Sequence, residues 1–452
     1  MLYKVKKERL FTNQQLLALL WPLIIEQALG VLVGMADTVM VSSVGEAAIS
    51  GVSLVDMINQ LIITVFGALA TGGAVVTSQH LGAKRPEEAA RSAGQLVGLS
   101  GILGTAVAVF CLVTRTAQLR LFFGTISEDV MQACLTYFTI TALSFPFLAL
   151  YNAGAAIFRS TGNSAVSMKV SVLVNAINFC GNALCVFVLR MGVAGVAVPT
   201  LVSRAVGAVI ILSLAAKRDY VLRITPRTVT RLEGRTVRSI LYIGIPSAFE
   251  NSLFQLGRVL VVSMISLFGT VHISANAVAN NLDAVGCIVG NAMGLAMITV
   301  VGRCVGAQDF EQTKHYTKKL LLWDYIAQGT VNLLVLFFLN RILGMYTLSP
   351  ETRALSWTLV MIHNGVAILL WPAGFVLPNA LRAANDVRFT MVTSILSMIV
   401  WRMGLSWILC VNMGMGAVGV WLAMVVDWIC RVTCFVIRFA SGAWQKSAMK
   451  KV

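Results

Sequence analysis

The sequence predicts an all-α membrane protein, with twelve transmembrane helices arranged as two pseudo-symmetric six-helix lobes. Three observations carry this prediction. Of 452 residues, 58% are hydrophobic and only 12% charged. A soluble domain holds about 25% charged residues, so this chain has too little polar surface to cover itself in water. Twelve apolar runs approach or exceed the roughly 20 residues that span a bilayer as a helix. The chain also repeats itself, with matched prolines and glycines 224 positions apart. The alternation at period two that a membrane β-barrel requires is absent.

Taken in order, the first six runs cover 14–44, 47–80, 92–114, 130–158, 164–189 and 194–216. The second six cover 238–268, 271–304, 318–340, 354–381, 387–410 and 416–438. Runs one and two lie in a stretch with no Lys or Arg between Arg9 and Lys84. Arg159 and Arg382 each close the fourth run of their half. Pro22, Pro146, Pro199, Pro246, Pro372 and Pro378 fall inside runs, where they can bend helices for packing or for gating. The expected organisation is an N-terminal lobe at 1–216, a basic linker at 217–237, a C-terminal lobe at 238–441 and a tail at 442–452.

The formal charge of +16 would suit a nucleic-acid partner, but its placement argues for a lipid bilayer instead. Basic residues gather at the N-terminus (Lys4, Lys6, Lys7, Arg9), in the second loop (Lys84, Arg85, Arg91) and in the tail (Lys446, Lys450, Lys451). The linker is densest, with Lys217, Arg218, Arg223, Arg227, Arg231, Arg235 and Arg238. If helices alternate, all of these fall on one side, and the loops at 44–47 and 268–272 on the other carry almost none. Basic loops stay cytoplasmic, so both termini are expected inside a cell (inner or plasma) membrane. No cleavable signal is evident, because the apolar run after the basic start is too long. Nine cysteines, mostly within apolar stretches, show no CxxC spacing and read as small packing residues.

The repeat pairs Pro22 with Pro246, Glu26 with Glu250, Gly45 with Gly269 and Gly82 with Gly306. The same shift pairs PLIIEQALGVL with PSAFENSLFQL and MGVAGVAV with MGAVGVWL. Six spans per half gives both halves one orientation, related by an axis along the membrane normal. A cleft between two such lobes is the architecture that alternating access needs.

Ionisable groups at membrane depth are costly and mark candidate sites. Asp37 lies eight residues before Gly45, about 12 Å below the outer surface at 1.5 Å per residue. Asn175, Asn178 and Asn182 share one helix face at spacings of three and four. Thr200 follows Pro199 in the next span, so Asp37, Asn178, Asn182 and Thr200 reach similar depth. A carboxylate with amide and hydroxyl oxygens can hold a hard cation such as Na+, or the carboxyl can take a proton. The alternative is a polar packing cluster, and Arg204, one turn beyond Thr200, is the residue that would favour it by pairing with Asp37. In the second half the shift places Val261, Arg402, Ser406 and Met424 at these positions. That half carries Glu250, Arg258, Asp283, Arg402 and Asp427, which could neutralise one another, so the ion site is expected in the first half alone. Glu26 and Glu250 either line the cleft as substrate contacts or hydrogen-bond kinked helices. His363 reads as a buried neutral histidine. The nineteen methionines would suit an adaptable binding surface or an ordinary core.

The strings WPLIIEQ, ADTVMVSSVG, GGAVVTSQHLGAK, NAINFCGNAL, GVAGVAVPTLVSR, GIPSAFENSLFQLGR, PNALRAANDVRFTMV and GVWLAMVVDW span nearly the whole chain. In them the protein resembles the multidrug and toxic compound extrusion (MATE) family. That resemblance implies a two-lobed antiporter exporting organic, often cationic, drugs or toxic metabolites in exchange for Na+ or H+. It implies a coupling site at Asp37, Asn178, Asn182 and Thr200. Some members carry a second aspartate where this chain has Asn182, which leaves the coupling ion open. A monomer without cofactors is expected, with Asn175, Arg204 and Asp283 as further cleft contacts. The alternative function is a flippase for a lipid-linked precursor, which would need a cationic cavity. An enzyme is not expected: no Ser/His/Asp set, HExxH or nucleotide-binding loop is present.

Overall fold

The structure is a computed structural model that describes residues 9–449, apart from 125, 218 and 219. Lys4, Lys6, Lys7, Arg218, Lys450 and Lys451, which contribute to the expected orientation, lie outside the described residues. The described residues contain helices and no strand, and twelve long helical elements run along them. In the first half these are α1 (Asn13–Ser42), α2 (Glu46–Gly82), α3 (Pro86–Phe123), α4 (Glu128–Leu143 with Phe145–Ser160), α5 (Ser164–Val188) and α6 (Ala194–Ala215). In the second they are α7 (Gly234–Ser266), α8 (Thr270–Gly286 with Ile288–Gly306), α9 (Phe310–Gly344), α10 (Pro350–Ala383), α11 (Val387–Asn412) and α12 (Gly416–Ala440). Among the described residues, ten helices are long and apolar enough to cross a membrane, and the bent pair in α4 makes eleven. The remaining one, α7, is 33 residues long. Polar residues such as Glu250, Asn251 and Arg258 dilute its hydropathy, and its place is set by being the repeat of α1.

Local chemistry explains the breaks. The two parts of α4 meet at 45°. Pro146 opens the second part, where its missing N–H costs nothing, and Ser144 at the corner donates to the Thr141 carbonyl at 2.6 Å. The turns entering α2 and α8 need a left-handed residue, and glycine supplies it in both, with φ of 134° at Gly45 and 86° at Gly269. At the other end of these helices the turn repeats without glycine, at Lys84 (φ 58°) and Gln308 (φ 54°). Helix α7 starts at Gly234, inside the stretch expected as linker, and Pro226–Thr230 forms a short helix before it. That short helix packs on α3, where a Cβ on Gly98 would stand 2.3 Å from the Val229 carbonyl oxygen.

The halves meet at one end, the end that holds this connection. There Gly82 and Gly306 let the ends of α2 and α8 touch backbone to backbone. A Cβ on Gly82 would stand 2.0 Å from the Arg303 carbonyl oxygen, and one on Gly306 2.0 Å from that of Gln79. Polar bonds repeat with the same symmetry. Gln79 donates to the Ala383 carbonyl at 2.8 Å, and Arg303 donates to the Ser160 carbonyl at 2.8 Å. Both acceptors are at the C-terminal ends of helices, where carbonyls lack partners within the helix. The Phe11 backbone is held by the Tyr316 hydroxyl, at 3.0 Å from its N–H and 2.7 Å from its carbonyl. Among the described residues, the hydrogen bonds found between the helical halves all lie at this end. Farther along the helices, toward the opposite end, lie two separate cavities, one within the first half and one walled by the second half together with Val31 of α1.

Candidate functional site

The first-half cavity occupies about 320 Å³ and is lined by Asp37, Asp56, Asn175, Asn178, Thr200 and Arg204 among others. Helix α1 supplies Asp37, α5 the asparagines and α6 Thr200 and Arg204. Immediately after Asn182, α5 widens into a π-helical turn at Leu184–Val188, a distortion frequent at functional sites. The polar groups form a chain. The Asn182 amide donates to Asp37 Oδ1 at 2.8 Å and to Asn178 Oδ1 at 3.3 Å. Asn178 in turn donates to Thr200 Oγ1 at 3.0 Å, and Thr200 donates to the Val196 carbonyl at 3.0 Å. The four residues expected to share a depth are therefore connected. Asn182 Oδ1 is buried and has no hydrogen-bond partner. Asn175 lies on the wall of the cavity and bonds Ser171 at 3.3 Å instead of the chain.

Arg204 does not pair with Asp37. Its Nη1 donates to Ser144 Oγ at 2.7 Å, at the corner of α4, and no ion pair within 4 Å joins it to Asp37 among the described residues. Asp37 is thus held by the Asn182 amide and not by an ion pair with Arg204.

Two residues of the site escaped the sequence reading. Asp56 on α2 faces the same cavity and accepts from Asn59 and from the Tyr137 hydroxyl, both at 3.2 Å. Asp56 is an acid within an apolar run, so the rule that singled out Asp37 applies to it equally. Tyr137 carries no such signal, since an aromatic residue in a membrane run is ordinary.

The second half answers with ion pairs. Of the five charges expected to neutralise one another, only Arg402 and Asp427 meet among the described residues, and Glu250, Asp283 and Asp427 also take partners outside that set. Glu250 pairs with Arg382 at 2.7 Å, and its repeat Glu26 pairs with Arg159 at 3.5 Å. These glutamates therefore neutralise the arginines that close the bent helices; Ser167 also donates to Glu26 at 3.0 Å. Asp283 pairs with His363 at 2.7 Å and accepts from the Cys287 thiol at 3.1 Å. Asp427 is held by Arg431 at 3.0 Å and Ser397 at 2.5 Å, with Arg402 at 3.9 Å. Arg258 has no carboxylate within ion-pair distance among the described residues. Asp283, Arg258, His363 and Arg402 line a cavity of about 390 Å³ with several aromatic side chains.

The family description MatE matches residues 22–184 and again 246–408, two blocks displaced by 224 at both ends. The chain belongs to the MatE family. This MatE chain is 27% identical over 444 residues to the uncharacterized transporter YisQ of Bacillus subtilis, covering 96% of this chain and 95% of that one. It is 24% identical over 455 residues to a probable multidrug resistance protein NorM of Thermotoga maritima, covering 99% and 96%. Its fold matches that of a multidrug resistance MATE family transporter of the MOP superfamily described in an outward-facing conformation. That match has a TM-score of 0.89 at 20% identity over 96% of each chain. A second match, a MATE structure in complex with MaL6, has a TM-score of 0.88 at 21% identity, over 96% and 97%. MatE proteins are transporters, so this chain is a multi-pass membrane transporter of that family, with twelve helices in two lobes.

Proposed function

We propose that this protein is a secondary active exporter of small organic, amphipathic compounds, driven by Na+ or H+ entering through the first-half cavity. One observation carries the reading: Asp37, Asn182, Asn178 and Thr200 form a continuous hydrogen-bonded chain on the wall of a cavity confined to one half. Asp37 supplies the charge and the amide oxygens supply neutral ligands, with Asn182 Oδ1 still unpartnered. That donor set suits Na+, while the carboxyl alone suffices for a proton. The closed end carries the basic connection, and the positive-inside bias supports reading that end as cytoplasmic. The two cavities then face the exterior, ready to release substrate and load the coupling ion. The protein works in this reading as a monomer in the cell membrane, with both termini inside.

The test is efflux of a fluorescent organic compound from proteoliposomes, with sodium and proton gradients imposed separately. One gradient should drive efflux, and Asp37→Asn should abolish that dependence while leaving the protein folded. Full gradient-driven export by the variant would overturn the coupling role.

A further inference from the structure

The two cavities have opposite electrostatic character. Among the ionised groups lining the first are two carboxylates, Asp37 and Asp56, and one cation, Arg204, a net of −1. The second is lined by two guanidiniums, Arg258 and Arg402, and one carboxylate, Asp283, a formal net of +1 before any charge on His363 is counted. The inversion arises at equivalent positions, since Arg402 stands where the 224 shift puts Asn178.

The positive charge of the second cavity is also poorly compensated from within. Asp283 is already engaged by His363 and Cys287. Asp427, 3.9 Å from Arg402, is shared with Arg431. Arg402 Nε is buried without an acceptor, and so is the indole N–H of Trp428 in the same wall. Arg258 is exposed on that wall with no carboxylate in reach among the described residues. The unpartnered groups of this cavity are therefore donors and cations, and what they lack is an acceptor carrying negative charge. The remaining surface is aromatic. Phe254 lies 4.8 Å under the Arg402 guanidinium, and Trp371 stacks on Phe375 at 4.9 Å. Trp421 is fixed by its bond to Asn276 at 2.9 Å. A pocket of a few hundred Å³ with apolar walls and a few convergent polar groups is the usual form of a small-molecule site. Guanidinium groups bind carboxylates with two-point geometry that an ammonium cannot offer.

We infer that the second-half cavity is a substrate subsite for aromatic compounds bearing an anionic group. Arg258 and Arg402 receive the anion and Phe254, Trp371 and Trp421 hold the ring. This names the substrate class of the exporter proposed above and rests on that reading only for the direction of transport. The coupling cation and the substrate's anionic group then occupy separate cavities of opposite sign.

The test is equilibrium binding to the purified full chain, followed by tryptophan fluorescence with no gradient present, so its outcome is independent of the coupling experiment. The probes are 2-naphthoate and the cation of similar shape, 2-naphthyltrimethylammonium. Naphthoate should bind at least tenfold more tightly than the cation. Arg258→Gln should weaken naphthoate at least tenfold and leave the cation within twofold, whereas Arg258→Lys, which keeps the charge but loses the two-point geometry, should recover only part of the affinity. Arg258 is exposed, so its variants should elute and melt as the parent does, even if Arg402→Gln fails to fold. Farnesyl pyrophosphate should displace naphthoate poorly. Equal or tighter binding of the cation, or unchanged naphthoate binding in Arg258→Gln, would overturn the anion subsite. Displacement by farnesyl pyrophosphate at lower concentrations than by naphthoate itself would overturn the aromatic specificity in favour of a lipid phosphate.

Discussion

Gln79 and Arg303, 224 positions apart, each reach across the molecule to cap a helix of the other half: Gln79 at the Ala383 carbonyl and Arg303 at the Ser160 carbonyl, both at 2.8 Å. The closure is thus a symmetric exchange, although the two side chains differ in charge. Arg303 adds a second bond from Nε at 3.2 Å, and its cation sits at a helix C-terminus, where the dipole favours it.

The two sides of this lock should contribute unequally. Hydrogen bonds from charged groups are worth about 1.5–3 kcal/mol and neutral ones about 1 kcal/mol. Arg303→Ala should therefore shift the population toward an open connection end by roughly tenfold or more, and Gln79→Ala by less. Spin-label distances across that end would measure it; identical distributions in Arg303→Ala and the parent would refute the assignment.

Gly82 and Gly306 should tolerate no side chain in the closed state. With a Cβ 2.0 Å from a carbonyl oxygen, α2 and α8 must separate, at a cost of about 1–3 kcal/mol for overpacking. Gly82→Ala and Gly306→Ala should fold, favour the state open at this end and slow turnover by a similar factor, since the contacts are equivalent under the pseudo-two-fold repeat. Wild-type transport rates in both would show that the two helices never need this approach.

Within the hydrogen-bonded chain from Asp37 to Thr200, which is proposed to take the coupling ion, the cost of removal should fall with distance from the charge. Asn182→Ala strips Asp37 of its donor and leaves Asn178 Oδ1 unpaired, so the apparent affinity for the driving ion should drop about tenfold, the worth of one charge-assisted bond. Thr200→Val should cost less, because that hydroxyl already donates to the Val196 carbonyl. Ion-concentration dependence of efflux gives both values.

Glu250 and Arg382 form an ion pair with side chains only 8% and 13% exposed. Removing one partner strands a buried charge and should destabilise by about 3–5 kcal/mol, whereas removing both costs less. Arg382→Met should thus lower the melting temperature more than Glu250→Gln combined with Arg382→Met. Additive losses would show that the two groups do not depend on each other.

Much of this was legible in the order of residues. Helix boundaries came within a few residues in most spans, because a 20-residue apolar run in a bilayer has one low-energy outcome. The Asp37, Asn178, Asn182 and Thr200 set was readable from depth alone, since a helix converts sequence distance into height at 1.5 Å per residue. Rotation about the helix axis and the choice of neighbour have no such ruler. Hence Arg204 bonds Ser144 rather than Asp37, and Glu250 finds Arg382 rather than one of the charges near it in the span.

What the sequence determined by itself was the membrane class, the span count and the two-fold repeat. All three follow from composition and periodicity, which are local or additive properties of the chain. Only the tertiary structure decided which end of the molecule is closed, that Asp56 and Tyr137 join the first cavity, and that the two cavities carry opposite charge. Those outcomes depend on which side chains from separate helices arrive within a few ångströms of one another, and that proximity is set by packing between helices rather than by position along any one of them.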